Sequence, residues 1–155
     1  MPCLTIDTPT GPLSITEDSG AIIRVEWGGE TGCDDTPLLH RARTQIDEYF
    51  AGTRTEFDLP LRVQGSDFQQ AVCAAMSAIP FGETVTYGDI SKQLNVPAQA
   101  IGQACGGNPI PLIIPCHRVL GASGLGGFSG DGGGLAGIEL KVQLLRHEGA
   151  AGLLI

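Results

Sequence analysis

A cysteine and a histidine stand side by side in the segment Pro115-Cys116-His117-Arg118-Val119, directly after the apolar, strand-like run Leu112-Ile113-Ile114. A buried structural thiol needs no histidine. A thiol that must ionise near neutral pH does, because its unperturbed pKa is too high and a nearby imidazole lowers it. The pair therefore predicts a nucleophile with its activating group.

The composition is that of a globular chain with an acidic balance. Its 155 residues are 42% hydrophobic, which is enough for a core and allows one domain or two small ones. No apolar stretch approaches the roughly 20 residues that cross a bilayer, and Met1 to Asp7 lacks a basic segment followed by an apolar one. We expect a soluble, cytoplasmic protein without a membrane partner. The net charge of -8 argues against binding nucleic acid mainly by neutralising phosphates.

The five cysteines are scattered, with no CxxC pair and no paired spacing among the three histidines. This pattern disfavours a disulfide framework and a metal site. Cys73 and Cys105 lie among alanines in helix-like segments, where a small buried apolar side chain is the simplest interpretation. Cys116 is the thiol that the sequence favours for chemistry.

The first 64 residues predict an N-terminal domain of strands and one helix. Alternating apolar residues indicate hairpin strands at Leu4-Ile6 and Leu13-Ile15, and a third strand follows from Ala21 to Trp27. Pro37 to Gly52 has helical spacing, with an apolar stripe that suits covering the sheet. A short strand near Thr55 to Leu59 would complete this half.

Residues 65–155 predict a mostly helical second domain. Ser66 can cap a helix that continues to Ile79, and Thr86 with Asp89 forms a capping-box pattern at the start of a short helix. Another short helix, Pro97 to Cys105, follows closely and suggests a helix-turn-helix. A last helix is expected from about Ile138 to His147.

Two segments of this half are rich in small residues. The helix Pro97 to Cys105 is thin, which allows close approach either to another molecule or to the protein's own core, and the sequence leaves both open. Gly121 to Gly137 is too dense in glycine for regular structure and predicts a loop. That loop is either a slack connection or a wall that brings backbone against a ligand, and it matches no phosphate-binding motif.

Five blocks occur in an order that is similar to the O6-alkylguanine-DNA alkyltransferase family. They are Phe81 to Tyr87, Asn108 to Pro111, Ile114 to Val119, Gly127 to Gly130 and Leu144 to Gly149. The resemblance implies an α+β fold: a ribonuclease-H-like antiparallel sheet with a helix, then a helical domain with a winged-helix-like helix-turn-helix. It also implies a single-turnover transfer of an alkyl group from guanine O6 in double-stranded DNA to the protein's own cysteine, by a monomer without a cofactor.

The resemblance assigns a role to individual residues. Cys116 would accept the alkyl group, His117 would take its proton through a bound water, and Glu148 would orient His117. Asn108 would hold the turn before the active-site segment, and Tyr87 would donate a proton to the departing guanine. The base would be held by Val119, Ser129 and Gly130, and DNA would be contacted by Ala98, Gln99, Ala100, Gly102, Gln103 and Arg118.

Two departures from the family lie at the expected DNA face. Gln99 stands where the family usually has an arginine that enters the base stack, and Gly106 stands where many members have another arginine. Between Ser66 and Leu120 the sequence has two basic residues, Lys92 and Arg118, and three acidic ones: Asp67, Glu83 and Asp89. Few cationic contacts predict weak DNA affinity with a shallow salt dependence.

Three other functions compete with repair. An alkyltransferase-like lesion sensor would bind alkylguanine without repairing it, but such proteins lack the cysteine that Cys116 provides. A cysteine hydrolase is disfavoured because neighbours in an extended segment point to opposite faces. A helix-turn-helix regulator would need a basic recognition helix.

Overall fold

The N-terminal half is built on three antiparallel strands. The computed structural model describes residues 1–29, 31–121 and 134–150. Strands β1 (Cys3–Ile6), β2 (Leu13–Asp18) and β3 (Ala21–Trp27) pair in sequence order. The buried residues Leu4, Ile15 and Val25 lie opposite one another across the three strands and so share one face. The predicted three-stranded sheet is confirmed.

One helix covers this sheet, as predicted. Helix α1 (Pro37–Ala51) begins where the Thr36 hydroxyl accepts a hydrogen bond from the Leu39 amide, and it ends at Gly52 in the left-handed conformation. Pro37 sits in the first turn, where its missing N–H leaves no hydrogen bond unmade. The buried stripe of the helix consists of Leu39, Ala42, Gln45, Ile46 and Tyr49.

The strand expected near residues 55–59 is not formed. The Gln45 side chain satisfies the backbone hydrogen-bonding groups of Asp58 instead. Its amide nitrogen donates to the Asp58 carbonyl at 3.0 Å, and its oxygen accepts from the Asp58 amide at 2.8 Å. Pairing with the sheet comes later, where Leu61 forms an isolated parallel bridge to Ile22. A buried side-chain amide thus replaces the ladder hydrogen bonds that the prediction assumed.

The second half contains the predicted pair of short helices. Its first elements are α2 (Asp67–Ser77), β4 (Val85–Thr86), α3 (Tyr87–Leu94) and α4 (Ala98–Gly106). Ser66 caps α2, and a capping box of Thr86 and Asp89 begins α3. Asn95, in the left-handed conformation, ends α3 and turns the chain into α4. Pro97 is the N-cap of α4 rather than its first helical residue.

The apolar run before Cys116 is a compact turn and not the strand that its composition suggested. Leu112 is buried at 1% exposure with φ 73, and the Ile114 amide donates back to the Ile110 carbonyl at 2.9 Å. Prolines at 109, 111 and 115 have no N–H to donate to a ladder, which explains the difference. A 3₁₀ turn at Cys116–Arg118 leads into β5 (Val119–Leu120), which pairs in parallel with β4.

The last helix, α5 (Gly134–Glu148), starts earlier than predicted, so Gly134 and Gly137 are helical rather than part of a loop. The remainder of the predicted glycine-rich loop falls mainly on residues 122–133, outside the described residues. One hydrophobic cluster runs from Leu4 in β1 to Leu144 in α5, and the architecture is α+β. The division between residues 64 and 65 falls between α1 and α2 and stays a prediction. Among the described helices, none is long and apolar enough to cross a membrane.

The capping box at the start of α3 gives a test of this fold. Thr86→Val keeps the β-branched shape but removes the hydroxyl that accepts from the Asp89 amide at 3.0 Å. We expect the free energy of unfolding to fall by about 1 kcal/mol in urea titration. Thr84→Val, two residues upstream and outside the cap, is the matched control. Equal stabilities of the two variants would contradict the assignment.

Candidate active site

Asn108 fixes the backbone that leads to Cys116. Its side chain is buried, its amide nitrogen donates to the Ile114 carbonyl at 2.9 Å, and its oxygen accepts from the Ile110 amide at 3.0 Å. These two bonds bracket Leu112, whose left-handed backbone is unfavourable for a residue with a side chain. The turn therefore depends on Asn108, and the contacts fit the predicted role of this residue.

Cys116 begins the 3₁₀ turn and is 3% exposed. Its amide donates to the Ile114 carbonyl at 2.8 Å, so the backbone of the predicted nucleophile is held by the same turn. The turn replaces the extended geometry assumed for Cys116 and His117. An argument from alternating faces of a strand therefore no longer applies to this pair, and the contacts of His117 decide its role.

His117 and Glu148 form a buried pair. His117 Nε2 lies 2.7 Å from Glu148 Oε2, and both side chains are fully buried. Because an ionised carboxylate can only accept, His117 donates through Nε2, which makes Nδ1 the basic nitrogen of the neutral ring. Glu148 on α5 thus contacts His117 in the 3₁₀ turn, as the third member of a Cys-His-Glu triad would.

Arg118 holds the other side of the same carboxylate. Its Nε donates to Glu148 Oε1 at 2.8 Å, its Nη2 to Oε2 at 3.0 Å, and its Nη1 to the Ile79 carbonyl at 2.6 Å. The guanidinium also lies 5.8 Å from the centre of the Phe81 ring. A two-pronged contact of this kind fixes the carboxylate in both position and orientation.

The prediction that Arg118 contacts DNA does not fit this position and is corrected. The residue is only 6% exposed, and its nitrogen atoms are engaged inside the protein. The cation is needed there because a buried carboxylate is costly without a counter-charge. The helix-turn-helix and the segment after it are left with Lys92 as their exposed cation.

The two ionisable partners favour a neutral imidazole beside a charged carboxylate. Burial lowers the pKa of His117, and the Glu148 carboxylate opposes this only in part. For Glu148, burial would raise the pKa, but the hydrogen bonds from His117 and Arg118 and the positive charge of Arg118 outweigh it and hold the pKa well below its ordinary range. A neutral His117 can accept a proton, as a general base must.

Tyr87 and Lys141 complete the group around Cys116. Burial and the neighbouring Cys105 and Cys116 raise the pKa of Tyr87 to about 12, so the phenol keeps its proton at neutral pH. Lys141 is fully buried, with its Nζ 2.6 Å from the Val119 carbonyl and 5.9 Å from the centre of the Tyr87 ring. Burial lowers the pKa of Lys141 to about 8, while Cys116 and Cys105 oppose this shift.

The thin helix α4 turns its glycines away from the core. A Cβ added at Gly102 or Gly106 would meet no heavy atom within 4 Å, whereas Ile101, Ala104 and Cys105 are its buried residues. Of the predicted DNA-contacting residues, Ala98, Gln99 and Gln103 are exposed, and Ala100 and Gly102 are half-buried. Gly102 and Gly106 therefore leave open space on the outer face of α4, whereas Ala104 and Cys105 pack into the protein's own core.

Two predicted substrate contacts, Ser129 and Gly130, lie outside the described residues. Val119 is buried beside Cys116, with its carbonyl already bonded to Lys141. Over residues 1–29, 31–121 and 134–150, no group of three or more His, Cys, Asp or Glu side chains could hold a metal ion.

Sequence reasoning missed Lys141 and Tyr49. Lys141 lies about two helical turns before Glu148, so both point from one face of α5. A lysine on an otherwise apolar, inward-facing stripe was the available signal. Tyr49 lies within the α1 stripe that was predicted only to cover the sheet, and its hydroxyl in fact donates to Glu148 Oε2 at 2.7 Å.

Comparison with known proteins agrees with this arrangement over nearly the whole chain. Residues 1–63 match the ribonuclease-like domain of 6-O-methylguanine DNA methyltransferase, and residues 67–150 match its DNA binding domain. The chain belongs to the 6-O-methylguanine DNA methyltransferase family. The α+β fold and the family resemblance inferred from the sequence are confirmed.

The relatives of this methyltransferase chain cover it almost completely. The methylated-DNA--protein-cysteine methyltransferase of Mycobacterium tuberculosis is 39% identical over 96% of this chain and 94% of its own length. The constitutive enzyme of that name from Bacillus subtilis is 39% identical over 93% of each chain. The crystal structure of the M. tuberculosis protein in complex with DNA matches with a TM-score of 0.82 at 40% identity, over 96% of this chain and 93% of that one.

The buried carboxylate predicts a specific pH dependence of stability. Because the Glu148 pKa is depressed on folding from about 4.5, its stabilisation is present above that value and is lost as pH falls below it. Glu148→Gln should lower the free energy of unfolding at neutral pH by about 3–5 kcal/mol, since it leaves a buried guanidinium without its counter-charge. The variant should also lose less stability than the wild type on acidification.

Urea unfolding near neutral pH and near pH 3 measures both effects. Glu139→Gln, an exposed carboxylate on the same helix, is the matched control and should behave like the wild type. A Glu148→Gln variant with the wild-type pH dependence would show that this carboxylate is not the group that titrates.

Proposed function

We propose that the chain repairs DNA directly, by transferring a methyl or other alkyl group from guanine O6 in double-stranded DNA to Cys116. The observation that carries the proposal is the buried His117–Glu148 pair at 2.7 Å, directly after a cysteine and in a fold shared with 6-O-methylguanine DNA methyltransferases. A structural thiol would not need this pair, and an alkyltransferase-like lesion sensor would lack the cysteine. The transfer consumes the cysteine, so one molecule acts once.

The reaction is an in-line displacement at the alkyl carbon. Cys116 gives its proton towards His117, whose neutral ring is favoured by burial, and the sulfur attacks the carbon attached to guanine O6. The S–C bond forms as the C–O bond breaks, and the electron pair leaves with the guanine. Tyr87, whose pKa is raised to about 12 by burial and the nearby thiols, supplies a proton to the guanine as negative charge develops.

The target base must leave the duplex to reach the sulfur. Cys116 is 3% exposed, and an alkyl group on guanine O6 is inaccessible to it inside a stacked duplex, so rotation of the nucleotide into a pocket is required. The exposed Gln99 on α4 can fill the gap in the stack and form hydrogen bonds with the orphaned base. One chain supplies every group in this scheme, which supports action as a monomer.

Mass spectrometry of the intact protein tests the chemistry. After mixing with duplex DNA that contains O6-methylguanine, the wild type should gain the mass of one methyl group in stoichiometric amount. Cys116→Ser should gain nothing, because the nucleophile is absent. Cys33→Ser, which removes an exposed thiol, is the control and should react like the wild type. Binding without a change in mass would select the lesion sensor instead.

The scarcity of exposed cations on the helix-turn-helix predicts weak, weakly salt-dependent DNA binding. Gly106→Arg adds a cation where a Cβ meets no heavy atom within 4 Å. We expect the slope of log affinity against log salt to steepen by roughly 0.9 for one added phosphate contact. Gly106→Gln adds similar bulk without charge and should keep the wild-type slope. A steep slope in the wild type, or none added by the arginine, would refute this account.

A further inference from the structure

Tyr49 joins the N-terminal half to the Glu148 carboxylate. It lies on α1, is fully buried, and donates its hydroxyl to Glu148 Oε2 at 2.7 Å. At the other end of the residue, the Tyr49 carbonyl lies 2.7 Å from His147 Nε2. Both contacts are to the last turn of α5, so the tyrosine and that turn are fixed to each other at two points.

The Tyr49 ring has little freedom to turn its hydroxyl elsewhere. Its centre lies 5.0 Å from that of Phe50, 5.5 Å from Phe57, 6.0 Å from Phe81 and 4.8 Å from His147. Aromatic rings packed at these distances hold one another in place. Burial, together with the Glu148 charge, raises the pKa of Tyr49 far above its ordinary value. The hydroxyl therefore stays protonated and remains a donor wherever the protein is folded.

Glu148 Oε2 is shared by three donors. His117 Nε2, Tyr49 Oη and Arg118 Nη2 lie 2.7, 2.7 and 3.0 Å from it. Each hydrogen bond withdraws electron density from the oxygen, so each weakens the hydrogen bonds that the same oxygen accepts from the other donors. The hydroxyl thereby limits how strongly the carboxylate stabilises a proton on His117.

We propose that Tyr49 is a positioning residue of the alkyl transfer, which holds the Glu148 carboxylate in place and keeps His117 in its neutral, proton-accepting form. The inference rests on the proposed function for its role in catalysis. It gives the N-terminal half a part in positioning the proposed catalytic base, through one hydroxyl. Among the described residues, the charged and titratable groups that act on His117 include Glu148, Arg118 and Lys141, with Cys116 as its neighbour in the chain.

Tyr49→Phe removes the hydroxyl and keeps the packed ring. Without that donor, Glu148 should draw a proton onto His117 more strongly, so the pH midpoint of the His117 imidazole should rise by about half a unit or more. The acid limb of the single-turnover rate should move to higher pH in parallel. At a fixed pH within that limb, we expect a rate about threefold below that of the wild type.

The His117 midpoint is measured by NMR titration of the histidine ring carbons, with the exposed His40 as an internal reference. Gln45→Met is the matched control: it removes two hydrogen bonds of α1 to Asp58 and does not touch Glu148. Gln45→Met should lower the free energy of unfolding and leave unchanged both the pH midpoint of His117 and that of the acid limb of the single-turnover rate. A purely structural role for Tyr49 would make Tyr49→Phe behave in the same way, and that result would overturn the proposal.

A fluorinated tyrosine at position 49 gives the opposite change. Its more acidic hydroxyl is a stronger donor, so the His117 midpoint should fall, and this test holds even if Tyr49→Phe fails to fold. A midpoint that does not move with donor strength would overturn the proposal. Because the titration needs no substrate, it separates this inference from the repair reaction, whose own failure would appear as a wild type that gains no methyl group.

Discussion

The site depends on one dehydrated carboxylate. A carboxylate taken out of water is tolerated only when donors replace its hydration, and Glu148 receives donors from α1 and from the 3₁₀ turn after Cys116. These segments are far apart in sequence, so the charge can be buried only after both halves of the chain have come together. The His117 imidazole, which is hydrogen-bonded to this carboxylate, is therefore held in its orientation only in the assembled fold.

The turn before Cys116 also depends on one buried polar side chain. Leu112 has a conformation that favours glycine, and the surrounding prolines leave few amides for regular pairing. Two hydrogen bonds from one buried amide side chain, Asn108, replace the missing ladder. Strain of this kind persists only where the surroundings compensate for it, and here it directs the chain into the turn that contains Cys116.

Local patterns predicted the fold well and its interior contacts poorly. The alternation in β1 to β3, the stripe of α1 and the caps at Ser66 and Thr86 act over a few residues, so the sequence was sufficient to find them. Residues 55–59 and the run before Cys116 were wrongly predicted as strands. The apolar content of a segment does not show which groups form hydrogen bonds with its backbone. Long-range side-chain contacts supply that information.

The same distinction applies to the site. Cys116, His117, Glu148, Tyr87 and Asn108 were proposed from their types and their resemblance to a family, and the structure brings them near one another. Arg118 was predicted at the DNA face with its neighbours in the family resemblance, whereas a buried acid elsewhere in the chain holds it inside the protein. Tyr49 and Lys141 were overlooked because each lies within a pattern that also describes ordinary core packing.

The parallel pairing of β4 with β5 sets the distance between Tyr87 and the turn that contains Cys116. Val85 lies opposite Val119 and Thr86 opposite Leu120, so Tyr87 leaves one strand of the pair while the Cys116 turn enters the other. Main-chain hydrogen bonds, rather than adaptable side chains, therefore determine the spacing of the proposed acid, Tyr87, and the proposed nucleophile, Cys116. Side chains around these two residues can therefore change while the main chain keeps Tyr87 and Cys116 in their places.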